Sequence, residues 1–342
     1  MSRFTTALTA VVLGVLLAAC AAEPQTPCDD CGYHREPDLT FAVWGDFPNG
    51  GKEPRELPQL VGQLNADPDI ELVFHLGDIK GGGAPCTTDY YREIKAVFDQ
   101  FQDPLVYTFG DNEWTDCSYQ QNGGYNPLKR LAALRTTFIP EAGQTIGRAM
   151  PVTSQADIGF PENVATVQAN VSFAVFHAVG PDNGLTPWSR HHKPTAAQRA
   201  EVAKRDAAAE ANIEHAFAVA RQQALATVVL MTHANMFPTT PDTMTADPYE
   251  SIVATIARET ATFAGRVYLF NGDSYKSVAD RPLSAESKWP TFYGAPPVEN
   301  LTRGTFDSSN DEASYLKVLI RPTATPAITW ADASFKRQPA AR

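Results

Sequence analysis

Five apolar runs in this chain each end on a glycine–carboxylate or histidine motif, and that recurrence limits the fold more than any other feature. The motifs are Gly45-Asp46 after Leu39–Trp44, Gly77-Asp78 after Glu71–Leu76, and Gly110-Asp111-Asn112-Glu113 after Leu105–Phe109. Thr232-His233 follows Thr227–Met231, and Asn271-Gly272-Asp273-Ser274-Tyr275 follows Val267–Phe270. A β-rich run that ends this way places a ligand atom just past the C-terminal end of a strand. Open sheets of alternating strands and helices carry their sites there. Carboxylates gathered at one such point repel unless a cation lies between them. The pattern points to a metal centre.

The segments between the motifs read as an α/β chain. Strands at Leu39–Asp46 and Glu71–Asp78 flank a helix near Glu56–Leu64. Tyr90, Ile94, Val97, Phe98 and Phe101 recur at helical spacing and predict a helix over Thr88–Phe101. A strand at Pro104–Phe109 and a helix at Pro127–Phe138 follow, and this βαβαβ opening predicts parallel strands. Pro140–Asn163 is polar and reads as an irregular surface loop, and Thr166–Val179 reads as two strands. Thr195 caps a long amphipathic helix running to Ala224. Strand Thr227–Met231, helix Pro248–Phe263 and strand Val267–Phe270 form a second half, with tail strands at Tyr315–Ile320 and Ala327–Ala333. His75 and His177 lie in apolar strands and read as structural, and His215 reads as a surface or packing residue.

The N-terminus reads as an export signal. Arg3 gives a positive start, Ala7–Ala18 is apolar but too short to span a bilayer, and Leu17-Ala18-Ala19-Cys20 has the form of a lipobox. The expectation is a signal peptide over 1–19, a tether over 20–37 lipidated at Cys20, and one domain over 38–338. The protein would then be exported and anchored at a bacterial cell envelope, on the outer membrane or the periplasmic face. Beyond Cys20, four of the five cysteines remain, which in an oxidising envelope suggests two disulfides. Cys28 and Cys31 either close on themselves or form a zinc or redox site, while Cys86 and Cys117 follow the second and third motifs and would tie two ligand loops together. The formal charge of −11, with no Lys/Arg-rich run, argues against nucleic acid as a partner.

In order and content these motifs resemble the calcineurin-like metallophosphoesterase superfamily. Its blocks run Asp-x-His or Gly-Asp, Gly-Asp, Gly-Asn-His-Glu/Asp, a lone His, then Gly-His-x-His. The resemblance spans about Leu39 to Trp330. Gly110-Asp111-Asn112-Glu113-Trp114-Thr115-Asp116-Cys117 is similar to a bacterial secreted subgroup whose third block reads Gly-Asp-Asn-Glu-Trp. His177-Ala178-Val179-Gly180, Asn183-Gly184-Leu185 and Thr232-His233-Ala234-Asn235-Met236-Phe237 support it.

The resemblance implies a four-layer αββα fold, a β-sandwich flanked by helices. It also implies hydrolysis of phosphomono- or phosphodiesters by a metal-activated hydroxide held between two cations roughly 3.5–4 Å apart. The phosphate ester would be the substrate. Asp46 would ligate the first ion, Asp78 would bridge both, Asp111 would replace the family's asparagine, His233 would be the lone histidine, and Asp273 would stand for the first histidine of Gly-His-x-His. One or two divalent ions, Mn, Mg, Ca, Zn or Fe, are implied, and the oxygen-rich set favours Mn, Mg or Ca over zinc. Three positions depart from the family: Pro48 and Tyr275 replace histidines, and Asn112 replaces the histidine that protonates the leaving group. No catalytic residue is therefore assigned. Asn112, Tyr275, His191 and His192 are candidate metal or substrate contacts, and Glu113 is a candidate partner of a ligand. The alternative implied by the departures is a catalytically degenerate lipoprotein that keeps the scaffold and binds a ligand or partner.

Overall fold

Alternation within single strands accounts for the layering. In the first strand, β1 (Leu39–Trp44), Phe41 and Val43 enter one core while Ala42 and Trp44 enter another, as the two-residue period of a strand buried on both faces requires. The same holds for β2 (Ile70–Leu76) and β3 (Pro104–Thr108), which pair in parallel with β1 and with each other. The computed structural model describes residues 38–49, 53–238, 248–274, 276–307, 314–322 and 324–335. All belong to one compact unit, Glu36–Arg342. Cys20, Cys28, Cys31 and Tyr275 lie outside the described residues.

Between the first strands run the helices α1 (Leu57–Asn65) and α2 (Thr88–Phe98), and after β3 comes α3 (Pro127–Phe138). The Thr87 side chain caps α2 by accepting from Tyr90 N, and Asn126 caps α3 by accepting from Lys129 N with Pro127 in the first turn. The segment expected to be an irregular loop instead holds β4 (Ile146–Gly147) and β5 (Thr153–Gln155), followed by the start of β6 (Phe160–Gln168). Each short strand closes one sheet edge: β4 pairs with β3, and β5 with β6. Two-residue and three-residue pairings have too few alternating positions to leave a pattern in the sequence.

The second half contains β7 (Val171–Val175), α4 (Ala196–Gln222), β8 (Thr227–Thr232), α5 (Glu250–Ala261) and β9 (Arg266–Asn271). It continues through β10 (Val278–Asp280), α6 (Trp289–Tyr293), β11 (Leu301–Thr305), β12 (Ser314–Ile320) and β13 (Ile328–Ser334). Thr195 forms a full capping box with Gln198 at the start of α4. The amphipathic expectation for α4 needs correction, because its buried positions include Gln198, Arg205 and Asn212 beside Val202, Ile213 and Phe217. Polar side chains there bind backbone atoms of the sheet and its loops: Asn212 Nδ2 donates to Val175 O and Gln198 Nε2 to Gly184 O.

The strands form two sheets, ordered β13-β12-β1-β2-β3-β4 and β10-β11-β9-β8-β7-β6-β5. Phe41, Phe74, Phe173, Tyr268 and Phe270 fill the space between them, with Phe41 edge-on to Phe74 at 5.4 Å and to Phe173 at 5.7 Å. The helices α1–α3 cover the outside of the first sheet, and α4 and α5 the outside of the second. This is the four-layer αββα architecture that the resemblance implied. Among the described residues no helix is long and apolar enough to cross a membrane.

Candidate metal centre

Both sheets have parallel strands at their centres, β1-β2-β3 in one and β7-β8-β9-β11 in the other. Their C-terminal ends open toward one edge of the sandwich, and the five motifs meet there. Asp46, Asp78 and His233 form one group of ligand atoms, and Asp111, His233 and Asp273 a second, each mutually within 4.8 Å. All five sequence candidates for metal ligands thus converge, from β1, β2 and β3 of one sheet and β8 and β9 of the other. His233 belongs to both groups.

Local geometry aims these side chains inward. Asp46, Asp78 and Asp273 each follow a glycine at a strand end and adopt left-handed φ values of 51°, 57° and 51°. Such a conformation is uncommon for a residue with a Cβ, although Asp is among those that adopt it. Three repeats of one strained turn signal a shared constraint at this edge. The glycines beside them leave room that a Cβ would fill. A methyl on Gly110 would lie 2.1 Å from Asp78 Oδ1, and one on Gly180 would lie 2.0 Å from Asp273 Oδ2.

Hydrogen bonds then hold these side chains in register. Asp46 Oδ2 accepts from the backbone N–H of Asp273 at 3.1 Å, joining the two sheets across the site. His233 Nδ1 donates to Leu76 O at 2.7 Å, which fixes its tautomer and turns Nε2 toward Asp111 Oδ1 at 2.9 Å and Asp78 Oδ1 at 3.6 Å. Glu113 is fully buried, and its Oε1 accepts from Gly110 N at 2.6 Å, Tyr107 OH at 2.8 Å and Asp78 N at 3.2 Å. Glu113 therefore sets the backbone that carries Asp78.

The electrostatics of this arrangement are unbalanced. Burial, only partly offset by His233, raises the Asp46 carboxyl to about 7. Burial with the nearby Asp111 charge raises Asp273 to about 8 and pushes Asp78 well above the carboxylate range. Burial would lower His233, but Asp78 and the hydrogen bond to Asp111 outweigh it and raise the imidazole well above its ordinary value. Without another cation the cluster must take up protons to relieve its own repulsion. Divalent cations relieve the same repulsion, and the donor set of carboxylate oxygens with one imidazole suits them.

Other sequence candidates fall in different places. Asn112 donates to Asp78 twice, from its backbone N at 3.0 Å and from its amide Nδ2. The Asn112 amide is thus committed to Asp78. Pro48 is buried and offers no donor, and His191 and His192 are exposed and stand outside both ligand groups. His75 is buried in β2, with Nε2 against Phe47 O at 2.9 Å, and burial lowers its imidazole to about 4. His215 is exposed.

Cys86 and Cys117 are disulfide-bonded and tie the loop after β2 to the loop after β3. Both sulfurs touch the carbonyl oxygen of Asn112, at 3.6 and 3.9 Å. Lys80 was not foreseen. Only 1% exposed, it donates to Asn112 O at 2.7 Å, and burial lowers its ammonium against the opposing pull of Glu113 and Asp78. Its position two residues after Asp78 was the available signal.

No family model and no curated protein sequence matches the chain. Among solved structures it is similar to a dimetal phosphatase from Danio rerio, with TM-score 0.48, 11% identity, 86% of this chain covered and 98% of that one. It is also similar to GAP50, the anchor in the inner membrane complex of Plasmodium, with TM-score 0.44, 8% identity, 88% of this chain covered and 90% of that one.

Proposed function

We propose that this chain is a metal-dependent hydrolase of phosphomono- or phosphodiesters that holds one or two divalent ions through Asp46, Asp78, Asp111, His233 and Asp273. The observation that carries this reading is the convergence of two ligand groups on the shared His233 at the C-terminal edge of both sheets. When bound, the ions supply positive charge for the phosphoryl oxygens and acidify a water for attack. The chain's own contribution is to fix the ligands. Leu76 O holds the His233 ring, Glu113 holds the backbone of Asp78, and the Asp273 N–H holds Asp46. Position 112 is an asparagine whose amide is bound to Asp78, so no imidazole stands ready there to protonate a leaving group. Esters with stable leaving groups are the substrates this site favours.

The committed amide of Asn112 also favours a second reading, a degenerate member that keeps the scaffold and binds a ligand or partner without turnover. Metal content by mass spectrometry, followed by assays on aryl phosphate mono- and diesters with Mn, Mg, Ca, Zn and Fe, separates the two. Stoichiometric metal with turnover supports the hydrolase, metal without turnover supports the binder, and absence of metal overturns the hydrolase. Location at the cell envelope, through a lipid on Cys20, belongs to the proposal and rests on the sequence alone. Replacing Cys20 by Ala should release the exported protein from the membrane fraction.

A further inference from the structure

Arg303, on β11, is 2% exposed, and all three of its guanidinium nitrogens donate to protein groups. Nε and Nη2 donate to the two oxygens of Asp280 at 2.9 and 2.7 Å, and Nη1 donates to Phe237 O at 2.8 Å and Asn235 Oδ1 at 3.0 Å. Phe237 N also donates to Asn235 Oδ1, at 3.3 Å. Two donors on one atom require that atom to be the amide oxygen, so the orientation of the Asn235 amide is fixed. Its Nδ2 is turned away from Arg303 and donates to no protein group among the described residues. The backbone N–H of Asn235 meanwhile faces the Asp273 carboxylate and acts to lower it. Asn235 is also the one residue between Thr227 and Phe237 that is not buried.

We propose that Asn235 is a substrate contact, its amide Nδ2 donating to an oxygen of the phosphoryl group. The inference rests on the phosphoester reading and adds to it the residue that recognises the phosphoryl group. The chemistry suits the place. A ring of carboxylates repels an ester that carries negative oxygens, and a neutral amide donor at its rim is a protein group that can face one without repulsion. Arg303 is too deeply buried to reach the ligand and instead holds the amide that does.

The test uses full-length protein loaded with Mn²⁺ and inorganic phosphate as the probe, with metal content by mass spectrometry and phosphate affinity by calorimetry. Asn235→Ala should keep the parent metal content and lower phosphate affinity about tenfold or more, the effect of losing a hydrogen bond to a charged group. Asn235→Asp keeps the oxygen that Arg303 needs but offers phosphate a negative charge, so it should lower affinity further. Phosphate affinities within twofold of the parent in both variants would overturn the inference while leaving the metal reading intact. A fall in phosphate affinity matched by a fall in metal content would also overturn it, by making Asn235 a support of Asp273. A parent protein that takes up no Mn²⁺ would overturn the phosphoester reading and this inference with it.

Discussion

Glu162, on β6, and Asp46, just past β1, are both buried carboxylates with an imidazole among their neighbours, yet their surroundings are opposite in kind. Glu162 accepts from Arg135 Nε at 2.9 Å and Nη2, and from His177 Nδ1 at 2.9 Å. Burial would raise it, but the hydrogen bonds and charge of these partners hold it at about 2. His177 is itself pushed down by burial, so at neutral pH it serves Glu162 as a neutral N–H donor and Arg135 carries the charge. Asp46 has one backbone donor and stands among Asp78, Asp111 and Asp273, and it rises to about 7. The fold satisfies Glu162 from its own side chains, whereas Asp46 receives a backbone N–H and no side-chain donor. That difference, more than burial or acidity, marks the centre as a place for cations from outside.

The largest expected effect lies at the satisfied cluster. Arg135→Met leaves Glu162 with a neutral imidazole alone, and breaking a buried pair costs about 3 kcal/mol. Denaturant unfolding should show that loss equally in metal-free and Mn²⁺-loaded protein. A loss below about 1 kcal/mol would mean that Glu162 is no better satisfied than the carboxylates of the centre.

Next comes metal itself. With free Mn²⁺ at about a hundred times its dissociation constant, the parent should gain about 2.7 kcal/mol. Asp78→Asn and His233→Ala should lose that gain and their stoichiometric metal, while Glu162→Gln should keep the full metal-dependent increment. Unchanged metal content in the first two would remove the ligand assignment.

The pH dependence of stability should have opposite signs in the two regions. Glu162 is depressed from its ordinary 4.5 to about 2, so its contribution is present above pH 4.5 and lost as pH falls toward 2. Asp46 and Asp273 are raised from 3.8 to about 7 and about 8, so the metal-free folded state holds their protons more tightly than the unfolded chain. Their effect is a loss of stability as pH rises from about 4 to about 8. The raised imidazole of His233 acts in the same direction. Thermal melts in chelator should therefore peak on the acid side, and Mn²⁺ should abolish the decline. A metal-free protein that gains stability steadily up to pH 8 would contradict the account.

The clustering at the strand ends was legible in the sequence because each of its side chains is announced locally. A strand-forming run, a glycine and a carboxylate are adjacent residues, and three of these turns share one backbone conformation at Asp46, Asp78 and Asp273. The Cys86–Cys117 bond was legible for the same reason, since each cysteine follows a motif. The satisfied cluster was not. Arg135 and Glu162 are 27 residues apart on a helix and a strand of different layers, and no local pattern records their pairing. The buried polar positions of α4 escaped notice for a related reason, because Arg205 and Asn212 are polar by type and buried only through partners brought by the fold. Asn235 entered the sequence reading only as one residue of the motif Thr232–Phe237, and Arg303, 68 residues away, gave its amide a direction.

The smallest expected effect is the most discriminating, because it asks for a sign. Asp46→Asn changes one buried oxygen to an amide nitrogen with almost no change in volume. Asn tolerates the left-handed φ of 51° at this position, and its oxygen can still accept from Asp273 N. Removing a carboxylate that repels Asp78, Asp111 and Asp273 should stabilise the metal-free protein by about 1 kcal/mol, the value of a pKa shift of roughly one unit. The same substitution should weaken metal binding at least about tenfold, because a neutral amide replaces an anionic ligand. Glu162→Gln is the same chemical change in the satisfied cluster, and there it should destabilise, since Arg135 loses its anionic acceptor. Paired unfolding curves for the two variants in chelator therefore carry the comparison. If both variants destabilise to the same degree, the carboxylates at the strand ends are as well satisfied by the protein as Glu162 is, and the electrostatic case for cations between them fails.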